Sequence, residues 1–393
     1  MLDFDQRRNF LKLASATLAA GITQTACSNQ IQNPKLPPSE QRDLFVVDGI
    51  GALFDINNWA NDAPYELVFP DAMVDDLMRS GLACIRHTTG IIDQPDEDAF
   101  QQAMAGVAWS HRWLYENDKS LTLIRTPEDI IEAKENKKIG ITFTIQNCHA
   151  IGDDLSRVAT FWGFGVQTFQ LTYNAQNQFG GGSNAPEDLP LTKLGHDLIS
   201  TLNEAGAIID LSHSGRQTCL DAIKASSAPI IISHSGCRAL NNIPRNKSDE
   251  EMRAIAESGG TFGIYFMPFL AKDGQATSNH LIAHIEHALN ICGEDHVSIG
   301  TDGTYRTIED MSKVRAKFKQ FTEARNEAGN AAQGEFLDNI NLLPDIAGAN
   351  QFYQLAEKLA LRNHPQNRIE KILGKNELRL MTEIWPGGDI PKN

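Results

Sequence analysis

From Leu44 onward, short β-rich runs recur along the chain, and most are separated by stretches with helical spacing. The runs are Leu44–Ile50, Leu82–Thr88, Ile139–Gln146, Val166–Thr172, Ala207–Ser212, Pro229–Ser233, Thr261–Phe266 and His296–Thr301. Ile208-Ile209 and Ile230-Ile231-Ile232 are continuously apolar, as strands buried on both faces must be. Helical stretches are read at Asp96–Glu116, from Thr126-Pro127, and at Leu194–Ala205, Gln217–Ala225, Asp249–Ser258 and His280–Cys292. Pro127 suits a first helical turn, and Gly259-Gly260 is a stop signal. Eight alternations predict a closed parallel (β/α)8 barrel of the TIM type. An open dinucleotide-binding sheet loses support, because no Gly-x-Gly-x-x-Gly follows the first strand. Met311–Ala328 and Arg368–Met381 read as C-terminal helices, so residues 44–393 form a single domain.

Composition narrows the function classes. The chain has 393 residues, 41% hydrophobic and 22% charged, which is ordinary globular usage. Its formal charge of -15 repels phosphate backbones, so nucleic acid is not an expected partner. Six cysteines are too few for a disulfide scaffold, and no pairing can be assigned.

Residues 1–27 are set apart from the fold. Arg7-Arg8-Asn9-Phe10-Leu11-Lys12 followed by the modestly apolar Leu11–Ile22 is similar to a twin-arginine export signal. It implies passage through that export machinery into the periplasm. A frayed basic terminus with a short helix is the alternative. Cys27, behind Thr25-Ala26, is either a lipidation site or an incidental cysteine. Residues 28–43, with Pro34, Pro37 and Pro38, read as a linker.

In such a barrel the site lies at the carboxyl ends of the strands. His213 ends the fifth run, His234 the sixth, and Asp302 the eighth. Two imidazoles and a carboxylate on one mouth are metal-site chemistry. Arg245, in the loop after the sixth run, is either a clamp for a substrate carboxylate or a surface partner of Asp249 or Glu250. Cys148 and His149 are candidates for a substitute ligand or nucleophile, and the loop from Ala175 to Leu189 is either a lid or a solvated excursion.

Asp210-Leu211-Ser212-His213, Pro229–Ser235, Pro244-Arg245-Asn246 with Asp249, and His296–Asp302 follow one another in an order that resembles the membrane (renal) dipeptidase family of the amidohydrolase superfamily. The resemblance runs from about Val46 to Leu373-Gly374-Lys375-Asn376. It implies a zinc peptidase acting on dipeptides and related small amides, often as a homodimer. His213 and His234 match the histidines of one metal, Arg245 the arginine on the substrate carboxylate, and Asp302 the proton-transfer acid. The departures fall within matching segments. The first strand reads Asp48-Gly49-Ile50-Gly51-Ala52, so the family's His and Asp ligands of the other metal are replaced by Ile50 and Ala52. Gln146 stands for the bridging Glu, and Tyr173 for a substrate-side His.

A neutral amide cannot bridge two cations as a carboxylate does, and Ile50 and Ala52 offer no donor. The expectation is therefore one Zn ion on His213 and His234, completed by Gln146 or Asp302 and water. Asp302 is assigned as base or proton shuttle, and Tyr173 as a catalytic and substrate-binding hydrogen-bond donor to the oxyanion. Two further readings stay open. One is a periplasmic tailoring enzyme for a peptide natural product; the other is a binding protein that uses the barrel mouth without chemistry.

Overall fold

The computed structural model describes residues 44–58, 67–89, 98–327 and 331–385. The expected export signal, the expected linker and Cys27 lie outside the described residues.

The strands are β1 (Val46–Gly51), β2 (Leu82–Thr88), β3 (Leu121–Leu123), β4 (Ile139–Ile145), β5 (Val166–Gln170), β6 (Ile208–Asp210), β7 (Ile231–Ser235), β8 (Thr261–Ile264) and β9 (Val297–Ile299). All pairings are parallel, in the order β1-β2-β4-β5-β6-β7-β8-β9, with β3 attached beside β4. The eight-strand near-barrel expected from the repeating runs is thus present. The short β3 was not read from the sequence; its Leu-Thr-Leu is too brief to show a period.

The helices are α1 (Asp71–Arg79), α2 (Ala99–Glu116), α3 (Pro127–Glu135), α4 (Arg157–Gly163), α5 (Lys193–Glu204), α6 (Arg216–Ala225), α7 (Asp249–Glu257), α8 (Ser278–Cys292), α9 (Met311–Glu327), α10 (Gln351–Leu361), α11 (Gln366–Glu370) and α12 (Asn376–Ile384). Local chemistry sets several of their starts. Thr126 and Asp129 form a capping box on α3, and Ser248 and Glu251 form another on α7. The expected single helix over Arg368–Met381 is instead α11, a π-helical turn at Lys371–Lys375, and α12. The turn presses Gly374 onto β1, where an added Cβ would lie 2.6 Å from the Phe45 carbonyl oxygen. Among the described residues, no helix is long and apolar enough to cross a membrane.

Between β9 and β1 a side chain makes the closure. The Thr301 amide and hydroxyl donate to Asp48 at 2.8 and 2.5 Å, and the Tyr305 hydroxyl donates to it at 2.6 Å. The amide of Asp302 then donates to the Ile50 carbonyl at 2.9 Å. Burial raises the Asp48 carboxyl to about 6 despite these donors.

Arg86 of β2 is fully buried. It donates to Thr168, to the Gly49 carbonyl and to Glu377 of α12, at 3.1, 2.7 and 3.1 Å. Glu377 also accepts from Thr261 of β8 at 2.6 Å. The C-terminal helix is therefore tied to β2 and β8 through a buried ion pair in which each Arg86 nitrogen and each Glu377 oxygen has a partner.

A small cluster of Ile56, Val314, Phe318, Ile340 and Leu342 forms its own core, apart from the main one. It joins α9 to the segment after β1 and to residues 340–342.

Candidate active site

His213 follows β6 and His234 lies within β7, and their Nε2 atoms face each other at 3.0 Å. The opposite nitrogen of each ring is held. His213 Nδ1 is 2.7 Å from Asn174 Oδ1, and His234 Nδ1 is 2.7 Å from Ser233 Oγ.

Proton bookkeeping fixes the tautomers. The Ser233 hydroxyl donates to Asp210 Oδ2 at 2.5 Å, so it must accept from His234 Nδ1–H. The carbonyl oxygen of Asn174 accepts from His213 Nδ1–H. Both Nε2 atoms then carry lone pairs aimed at each other, a repulsive contact unless a cation lies between them. Burial, with Arg245 next, holds both imidazoles well below the usual histidine range, which keeps them neutral and able to act as ligands. The pair offers two neutral ligand nitrogens to a metal ion. Among the described residues, no group of three or more His, Cys, Asp or Glu side chains is placed to hold one.

Asp210 organises Ser233, the support of the His234 ring, together with the neighbouring Ser212. It accepts from the hydroxyls of Ser212 and Ser233, each at 2.5 Å, and from their amides at 2.9 and 3.1 Å. Neither serine nor Asn174 was assigned a role from the sequence. The available signal was a serine immediately before each histidine, in Asp210-Leu211-Ser212-His213 and Ser233-His234.

The loop after β5 is packed at its middle and solvated on either side: Ala175, Gln176, Asn184 and residues 186–188 are exposed. Phe179 to Ser183 is buried, and Ser183 donates its amide to the His213 carbonyl at 2.6 Å. Gly182 lies so close to the strand end that an added Cβ would fall 2.2–2.4 Å from the carbonyls of Tyr173, Asn174 and Ala175. The glycines let the loop back this strand end. Tyr173 stacks on His213, with centroids 4.1 Å apart.

Arg245 is buried, not a surface partner. It donates to the carbonyls of Ser212 and His234, the latter at 3.0 Å, and lies over the Tyr265 ring. Its sequence-proposed partners are engaged elsewhere, Glu250 with Arg216 and Asp249 with His287. Asp302 sits at the end of β9 with φ of 52°, a conformation that Asp tolerates better than most residues. Burial raises its carboxyl to about 7, against the opposing pull of Arg245 and with the nearby Asp48 adding to the rise.

Tyr173, Asn174, His213, Arg245 and Asp302 line one cavity of about 230 Å³. Gln146 is buried, and its amide nitrogen donates to Thr88 at the end of β2 at 2.9 Å; it is not among the residues lining that cavity. Ile50 is buried. Cys148 is buried with its thiol pushed far up, unsuited to nucleophilic attack, and His149 bonds to Gln178.

This is the strand-end site of an amidohydrolase-type barrel. The chain belongs to the membrane dipeptidase family (peptidase family M19), whose model matches residues 78–330. An amidohydrolase structure from Pseudomonas aeruginosa is similar at 30% identity and a TM-score of 0.73, covering 89% of this chain and 99% of that one. An uncharacterized protein in the pqqA 5' region of Klebsiella pneumoniae is 28% identical over 276 residues, 67% of this chain and 89% of that protein. An uncharacterized dipeptidase of Schizosaccharomyces pombe is 29% identical over 242 residues, 58% of this chain and 57% of that protein.

Proposed function

We propose that this chain is an exported, periplasmic hydrolase of dipeptides or related small amides, working with one zinc ion. The observation that carries the reading is the approach of the His213 and His234 Nε2 atoms to 3.0 Å, each ring supported on its far side by Asn174 or Ser233. His213 and His234 would hold the ion, which when bound supplies Lewis-acid polarisation of the amide carbonyl.

The protein's own groups do the remainder. Arg245 holds the substrate carboxylate, its guanidinium already fixed by two backbone carbonyls. Asp302, poised near neutrality, takes a proton from the attacking water and returns it to the leaving amine. Tyr173, stacked against His213, donates to the developing oxyanion. The single-ion reading rests on Ile50 and Ala52 in β1 and its edge, and on the Gln146 amide engaged with Thr88.

The test is release of free amino acids from a panel of dipeptides by zinc-loaded protein and by His213→Ala. The reading expects turnover that falls at least about 10³-fold in the variant. Equal turnover by both would overturn it. Export is tested by cell fractionation, with Arg7→Lys plus Arg8→Lys expected to hold the protein in the cytoplasm.

A further inference from the structure

The cavity has two unlike faces. Asn174, His213 and Asp302, just past the ends of β5, β6 and β9, and Arg245, in the loop after β7, supply a polar face. Phe54, Met267, Phe318, Phe321 and Leu342 supply an apolar one, with no role in the chemistry above. Much of this face rests on the small separate core: Phe318 and Leu342 belong to it, and Phe54 packs against it. It is also braced. Arg325 of α9 forms a two-point ion pair with Glu335 at 2.8 and 3.0 Å, and Glu335 further accepts the Ala332 amide at 3.2 Å. All three residues line the same cavity.

An aromatic wall beside a polar cluster leaves apolar surface facing the ligand space, and burying a substrate side chain there is favourable. The volume of about 230 Å³ lies below the usual range for drug-sized ligands, so the guest is small. The Arg325–Glu335 pair is mutually neutralised, so this side offers little net charge for an acidic or basic side chain.

We infer that the wall formed by Phe54, Phe318, Phe321 and Leu342 makes the site selective for compact dipeptide-like amides carrying one apolar side chain. This rests on the hydrolase reading for its substrate class, but the selectivity is read independently in binding. Two dipeptide series are used, Xaa-Ala and Ala-Xaa, with Xaa Gly, Ala, Val, Leu, Asp or Lys. Affinities are measured by calorimetry on zinc-loaded full-length Asp302→Asn protein, and kcat/KM on the zinc-loaded wild type.

In one series the affinity should rise about fourfold per buried methylene from Gly to Leu, with Asp and Lys below Ala. Phe321→Ala should cut the Leu-to-Gly ratio at least fivefold, while Phe321→Leu retains most of it. A Leu-to-Gly ratio near one in both series, a preference for Asp or Lys, or a ratio unmoved by Phe321→Ala would overturn the inference. Selective binding without hydrolysis by the wild type would sink the hydrolase reading and leave the wall's selectivity standing.

Discussion

Replacing Asp210 by Asn tests the tautomer argument without touching either imidazole. Asp210 Oδ1 accepts three donors: the Ser212 amide, the Ser212 hydroxyl and the Ser233 amide. Oδ2 accepts from the Ser233 hydroxyl. An asparagine keeps its carbonyl oxygen where three donors converge and turns its NH2 toward Ser233. That NH2 now donates to Ser233 Oγ, so the serine proton loses its acceptor. The nearest alternative is His234 Nδ1 at 2.7 Å. Accepting there moves the imidazole proton to Nε2, where it blocks the lone pair that faces His213. Losing such an outer partner typically costs 10- to 100-fold in metal affinity, about 1.4–2.8 kcal/mol. Zinc affinity by competition with a chromophoric chelator reads the loss. Nitrogen-15 shifts of metal-free protein read the tautomer directly. Wild-type zinc affinity in Asp210→Asn, or an unmoved Nδ1–H tautomer at His234, would refute the reasoning.

Asp302 gives a prediction with a defined sign. Its folded carboxyl titrates near 7, above the unfolded value near 3.9, so the folded state binds the proton more tightly and stability falls as pH rises from about 4 to 7. Asp302→Asn should therefore stabilise by about 2–4 kcal/mol at pH 8 and by nothing below pH 4, read in denaturant melts, while wild-type kcat/KM rises through a single ionisation near pH 7. Glu377→Ala leaves Arg86 buried without its carboxylate and should cost about 3–5 kcal/mol by thermal unfolding; a loss under 1 kcal/mol would show that α12 is not tied to the barrel through this pair.

The barrel was legible because its strands are buried on both faces and therefore spell continuous apolar runs, as Ile231-Ile232 does in β7 and Ile208-Ile209 in β6. The nearness of His213 to His234, and the placing of His213 and Asp302 on one cavity, were legible for a positional reason, since strand ends on a parallel barrel share one mouth. The supports were not. Asp210, Ser212 and Ser233 look like ordinary strand polar residues until the proton count shows that they fix an imidazole. Phe318, Phe321 and Arg325 belong to a stretch read only as a C-terminal helix, Glu335 lies beyond it, and nothing in a helical period tells that α9 lines the cavity. Arg245 was undecided between clamp and surface pair, because charge spacing along a loop carries no information about burial. The π-turn at Lys371–Lys375 depends on contact between Gly374 and β1, which a local pattern cannot express.

The central claim is that two opposed imidazole lone pairs create a place for a single ion. Elemental analysis of the purified protein, by plasma mass spectrometry after dialysis, tests it most directly. The account predicts about one zinc per chain, falling to near zero in both His213→Ala and His234→Ala. Two tightly held ions per chain, or one ion retained after either histidine is removed, would contradict it.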